Sequence, residues 1–425
     1  MTRALLISRF FPFNAEKVHG IYQRLGTQIE ALARVADRID CLFLVPVDQN
    51  CSAEAVREHQ ERLRRLWSPA IDLTLAPTLR YDAPQGRWQR VVEGIFDFQR
   101  QLIARPTCTA GAVAAVSAAL DTRPDLVLVH RLDAMGVLMR LARGTPQKLR
   151  GVPLFFDLDD IEHVAKARHL LRDPAWPAQR LLLLQLPALL LAELRAVRLA
   201  TATFVCSESD RRYLARLSAG ARVCTVPNSV TFPPLAATDS SEPLVLFVGA
   251  MSYRPNAQAA DSLVEEIWPP LRARVPTARL AIIGPGRERA RSFHKPDPTV
   301  TFTGFVEELQ SWYRRARVVC CPIYHGGGTR IKIIEAAAQG KAIVSTHIGA
   351  EGLIFEDGRE ILLRDSADAI AAACAQLLED PAAAQQLGRA ALQKARGTYE
   401  RDAVVSQLED IFRSAFAAGV RRVPA

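Results

Sequence analysis

No stretch of this 425-residue chain is apolar for long enough to cross a membrane as a helix. The richest run, residues 181–194, is broken by Gln185, Pro187 and Glu193 and reads as a buried or interfacial helix. The opening MTRALLISRFFPF is too short an apolar run for a secretory leader, and Arg9 interrupts it. Eight cysteines are present without the repeated spacing of a metal site. Cys206, Cys224, Cys320 and Cys321 fall inside apolar runs, the pattern of reduced core thiols. A cytoplasmic protein is expected, peripheral at most to the inner face of a membrane. Short internal repeats and low-complexity segments are also lacking. The cations are dispersed among acids and not interleaved with stacking aromatics, which argues against a nucleic-acid surface.

What is present is an ordinary globular composition, 49% hydrophobic and 23% charged, in a chain too long for one core. Two domains are the expectation. A formal charge of +9 permits an anionic partner without choosing among nucleotide, nucleic acid and acidic membrane. Short β-branched runs alternate with longer amphipathic ones. Strands are expected at 4–8, 39–45, 126–130, 154–157 and 203–206, with helices at 20–37, 53–67, 88–103 and 112–120. The aperiodic, proline-rich residues 231–243 read as a linker. Strands then recur at 244–249, 280–283, 300–303, 318–322, 343–345 and 361–363, and a last helix at 401–418 is expected to cross back onto the first domain. The pattern predicts an α/β protein of two tandem doubly wound, Rossmann-like domains, 1–235 and 236–400, with 401–425 as the terminal helix. Ligands of such sheets bind beyond the carboxyl ends of the strands, so the loops after each strand are expected to line a central cleft.

The most informative stretch is HGGGTRIKIIEAAAQGKAIVST, residues 325–346. Gly326, Gly327 and Gly328 let backbone approach a ligand closely. Thr329 is the expected N-cap, leaving free N–H groups and the positive end of a helix dipole at the glycines. Arg330 and Lys332 in that first turn are locally unfavourable unless an anion joins them, while Glu335 shares the face of Lys332. A phosphate cradle with an inner acid for sugar hydroxyls is the functional reading. A glycine loop with solvated charges is the plainer one.

These residues carry a resemblance. LVLFVGAMSYRPNAQA, IIGPG, VTFTGFVEEL, GGGTRIKIIEAAAQGKAIVST and GAEGL, across residues 244–380, resemble nucleotide-sugar-dependent glycosyltransferases of the GT-B fold. They are similar to the family four, or group 1, enzymes with a glycine-rich phosphate loop. In the first half FPFN, PDLVLVH, FFDLDDIE, CSESD and VPNSV are thinner echoes. The resemblance implies a nucleotide diphosphate sugar as donor substrate, bound on the second domain with no further cofactor, and a saccharide, lipid-linked or small-molecule acceptor on the first. It places Glu335 on the ribose, Arg330 and Lys332 on the diphosphate, the backbone of the turn Thr303, Gly304, Phe305 and Val306 at the base, and His130 at the donor sugar. It further implies retention of anomeric configuration without a metal, the leaving phosphate helping to deprotonate the acceptor. Three positions depart from the commoner pattern: Gly327 stands where a glutamate touches the sugar, Ala250 and Asn256 stand where an arginine and a lysine are usual, and Gly20 alone replaces a glycine pair. Arg254 is then the nearest cation to the second domain's first strand.

The rival signals are modest. Asp157, Asp159 and Asp160 in DLDD invite a metal, since carboxylates two apart in an extended segment face one ion. An acceptor-side or supporting role is preferred, and an N-cap series is the structural alternative. His130 also reads as a satisfied buried histidine. His19, His163 and His325 fall in loops of the same kind without marking a base. The Tyr253 to Asn256 segment suits a turn and helix start, and Tyr324 suits packing. Basic faces at 57–65 and 211–216 read as solvated surfaces, which a lipid-linked acceptor would bring against an anionic membrane. An epimerase on the same scaffold and a non-catalytic nucleotide-sugar binder are the alternatives to a transferase.

Overall fold

A computed structural model describes residues 2–13, 20–79, 109–172, 174, 177–233 and 242–417. The helix expected at 88–103, His19 and most of the expected linker lie outside these residues. The described chain forms two compact units, 1–228 with 404–425, and 229–403. No helix among the described residues is long and apolar enough to cross a membrane.

In the first unit seven parallel strands, β1 (Arg3–Ser8), β2 (Arg38–Pro46), β3 (Ile71–Leu79), β4 (Leu126–His130), β5 (Leu154–Asp159), β6 (Ala202–Val205) and β7 (Val223–Thr225), lie in the order β3-β2-β1-β4-β5-β6-β7. The order reverses between β1 and β4, whose carboxyl ends are Ser8 and His130. Alternating residues of each strand feed two cores. Leu5 and Ile7 face one with Leu42, Leu44 and Val129, while Ala4 and Leu6 face the other with Cys41, Phe43 and Leu128. Strands buried on both faces must be apolar at nearly every position, which is why they read as continuous runs. The terminal helix Arg401–Ala417 places Val404, Val405, Leu408 and Phe412 in the second of these cores.

The second unit has six parallel strands, β8 (Leu244–Val248), β9 (Arg279–Ile283), β10 (Val300–Gly304), β11 (Val318–Cys321), β12 (Ala342–Ser345) and β13 (Leu362–Leu363), in the order β10-β9-β8-β11-β12-β13. Its reversal lies between β8 and β11. After β8 the chain enters α1 (Arg254–Ser262), which widens into a π turn at Leu263–Ile267 before Pro269 and Pro270. The prolines supply no N–H to the turn behind them, and the offset ladder accommodates the loss. After β11 comes α2 (Ile331–Ala338), the short helix of the expected cradle.

Candidate functional site

The glycine loop after β11 does lead into a helix, but Arg330, not Thr329, holds the N-cap position, with φ −85° and ψ 96°. The reason is local. The Arg330 guanidinium folds back to donate to the carbonyls of Gly327 and Gly328, so the loop is closed by an arginine and not by a threonine hydroxyl. Gly326 and Gly328 take φ of 122° and 69°, conformations that favour glycine. A β-carbon on Gly326 would stand 2.8 Å from the Tyr253 hydroxyl.

Lys332, in the first turn, is buried at 9% exposure. Its Nζ donates to Asn256 Oδ1 and lies 4.6 Å from the centre of the Phe247 ring. Asn256 is fixed in turn by its own Nδ2, which donates to the Ala250 carbonyl at 2.8 Å. Gly249 makes this packing feasible, because a β-carbon there would meet both Lys332 Nζ and Asn256 Nδ2 at 2.8 Å. Burial pushes the Lys332 ammonium down to about 8, the neighbouring Arg330 adding to the effect while Glu335 opposes it. Two buried cations thus rest on neutral acceptors at the mouth of one helix, beside the strand-order reversal where open α/β sheets bind ligands.

The surrounding loops join this edge. Gly249 N–H donates to the Ile283 carbonyl at 2.8 Å, Met251 N–H to Pro285 at 2.8 Å, and Gly284 N–H to Gly304 at 2.8 Å. Gly304, at φ 76°, ends β10 where the ladder shifts register, and Val306 packs against the core. Half-buried Glu335 accepts from the Tyr313 hydroxyl at 3.5 Å, and burial with this carboxylate raises the Tyr313 phenol. Arg254 is exposed at the first turn of α1. Arg254, Val306, Gly326, Gly327, Gly328, Thr329, Arg330 and Lys332 are therefore on loops or helix starts at the carboxyl edge of the second sheet, where Gly304 ends β10, and Glu335 lies in the second turn of α2. The Asn256 bridge and the Phe247 ring beneath the ammonium escaped the sequence reading; no spacing links residue 256 to residue 332.

The first unit holds a different cluster. His130 ends β4 at 0% exposure, with Nδ1 3.1 Å from Ser8 Oγ and Nε2 3.8 Å from Asp157 Oδ2. Burial, with Arg131 and Arg24 nearby, pulls its imidazole down to about 3, so it is neutral across the physiological range. Asp157 accepts from Arg24 Nε at 2.9 and 3.1 Å and from Gln28 Nε2. Asp159, at φ 63°, accepts from Arg131 and from the Cys206 thiol, and Asp160 lies 3.5 Å from Arg131 Nη1. The ligand atoms of Asp159, Asp160 and Cys206 lie within 4.8 Å of one another, but two guanidiniums already supply the positive charge. Asp159 closes β5 and the next helix starts at Glu162, so the proposed N-cap series of Asp159 and Asp160 is not what the first of them forms. Gly20 opens the helix Gly20–Ala33, which carries Arg24 and Gln28.

Residues 242–380 match the family described as glycosyl transferases group 1. A glycogen synthase of Mycobacterium tuberculosis is 29% identical over 182 residues, 40% of this chain and 42% of that protein. The chain thus spans less than half the length of this relative. Among solved structures, sucrose-phosphate synthase from Thermosynechococcus elongatus superposes with a TM-score of 0.69 at 19% identity, covering 98% of this chain and 100% of that one. An Anabaena protein solved in complex with UDP and glucose gives 0.59 at 14% identity, covering 97% and 100%. The fold is GT-B, and the likeness to the group 1 glycosyltransferases is confined to residues 242–380, in the second unit.

Proposed function

We propose that the protein is a glycosyltransferase that moves a sugar from a nucleoside diphosphate sugar to a hydroxyl of a saccharide, lipid-linked or small-molecule acceptor. The observation that carries the reading is the pair of buried cations, Arg330 and Lys332, held by neutral acceptors behind a glycine loop. In the reaction the bond from the anomeric carbon to the diphosphate oxygen breaks and the acceptor oxygen bonds that carbon. The acceptor proton goes to the departing phosphate. Negative charge grows on the leaving oxygen, and fixed cations aimed there stabilise the transition state without a metal. Arg330, Lys332, the amides of Gly327 to Thr329 and Arg254 are assigned to the diphosphate, Glu335 to the ribose, and the backbone of Gly304 to Val306 to the base. The neutral His130 is assigned a hydrogen-bonding role at the sugar, not a proton-transfer one. Asp157 and Asp159, already engaged by arginines, are assigned to supporting the first unit. Retention of configuration follows from the same phosphate-assisted scheme.

The UDP and glucose bound by the Anabaena neighbour make uridine the first base to test. Thermal-shift measurements over nucleoside diphosphate sugars, followed by mass spectrometry with an acceptor panel, test the reading. A stabilising donor and an acceptor-dependent glycosylated product are expected; a product that forms without acceptor would indicate an epimerase. Gly327, in place of an acid, favours one second reading, a nucleotide-sugar binder without turnover. Binding with no product over the whole panel would establish that reading instead.

A further inference from the structure

The 3₁₀ helix Pro177–Gln185 runs directly into the helix Leu186–Leu199 in the first unit. With three residues per turn in the first segment, Leu181, Leu184 and Pro187 stack along one line. With 3.6 per turn in the second, the line continues through Leu191, Arg195 and Arg198. All six are exposed, whereas Gln185, Ala188, Leu189, Ala192 and Glu193 between them are buried. The leucine exposures are 43% at Leu181, 57% at Leu184 and 51% at Leu191, and Leu171 on the packed neighbouring helix is 55% exposed. Arg180 reaches the Leu171 carbonyl at 3.4 Å and Lys166 reaches Gln185 at 2.7 Å, so both cations sit beside the ridge.

A soluble monomer seldom leaves four large aliphatic side chains together in water. Between residues 164 and 200 the chain carries six lysines and arginines against two acids, and of the acids Glu193 is buried against His163. A two-fold contact between copies would set arginines against arginines, with Asp173 the one other acid in that stretch of sequence to pair them. Leucines flanked by arginines whose stems can lie along an apolar layer match an anionic lipid surface. We propose that this ridge is a docking surface for an anionic bilayer, with Leu181, Leu184 and Leu191 entering the acyl boundary and Arg195, Arg198 and Arg180 meeting headgroup phosphates. The proposal does not depend on the transfer reaction.

The test is co-sedimentation of the full chain with phosphatidylcholine vesicles with and without phosphatidylglycerol. Wild type is expected to bind the anionic vesicles, less so as salt rises, and to leave neutral ones. Leu184→Glu with Leu191→Glu, both exposed and hence compatible with folding, is expected to lower binding at least about tenfold. Arg195→Glu with Arg198→Glu is expected to do the same, whereas Arg57→Glu with Arg65→Glu on another basic face is expected to have little effect. UDP-induced thermal stabilisation, read in parallel, is expected to be unchanged in every variant. Equal vesicle binding by wild type and the leucine variant, or no binding by wild type, overturns the proposal. So does a wild-type dimer that the leucine substitutions dissociate, because the ridge would then be an interface between copies.

Discussion

Two buried clusters in this molecule use the same cations in opposite ways. In the first unit Arg24 and Arg131 are matched by Asp157, Asp159 and Asp160, so charge is cancelled in place. In the second, Arg330 and Lys332 are equally sheltered but rest on peptide carbonyls and an amide. Neutral acceptors satisfy hydrogen bonds without cancelling charge, so the second cluster keeps a positive excess that an anion would relieve. On the proposed function the first serves folding and the second binding, and the difference lies in what faces the cation.

The contrast is most sharply broken by Asp157→Ala. Removing its main partner leaves the buried Arg24 with only Asp159, at 3.4 Å and shared with Arg131, so unfolding stability should fall by about 3–5 kcal/mol, read by denaturant titration. Lys332→Met should do the reverse, raising stability by about 1–3 kcal/mol because a desolvated ammonium is removed, while UDP affinity falls by roughly 10–100-fold. If Lys332→Met destabilises as much as Asp157→Ala, the two clusters are not different in kind. Gly249→Ala should be milder, since its methyl group displaces Lys332 and Asn256 without removing either. About a tenfold loss of UDP affinity with nearly unchanged melting temperature is expected.

The smallest effect is in pH. The ammonium of Lys332 is pulled from 10.5 to about 8 on folding, so the folded state penalises its charge. That penalty is fully present below pH 8 and fades as pH rises toward 10.5, so this group makes stability rise across that window. A bound diphosphate raises the group again. UDP affinity should therefore be flat below pH 8 and decline above it, with proton uptake on binding in calorimetry run in buffers of different ionisation enthalpy.

Much of this was legible because of where side chains point. β4 was read at its full extent, 126–130, and the inner strands β1, β5 and β6 to within a few residues, since burial on both faces makes each an unbroken apolar run. The two strands of the first sheet that escaped reading are its edges. β3 carries Pro77 and alternates polar with apolar, and β7 is three residues long. In the cradle, glycines and cations were visible as a cluster of residue types. Their geometry was not, because the N-cap of α2 is set by an arginine turning back on its own loop, a rotamer no propensity encodes. The Arg24–Asp157 pair joins residues 133 apart in sequence, and nothing local to either announces the other.

The claim that uncompensated buried cations make the second cluster a diphosphate site is tested most directly by calorimetric titration of UDP into wild type and into the Arg330→Ala, Lys332→Ala double variant. Two charge-assisted contacts of about 1.5–3 kcal/mol each predict an affinity loss of roughly a hundredfold or more, in a variant that melts no lower than wild type. Equal affinity in a folded double variant would contradict it.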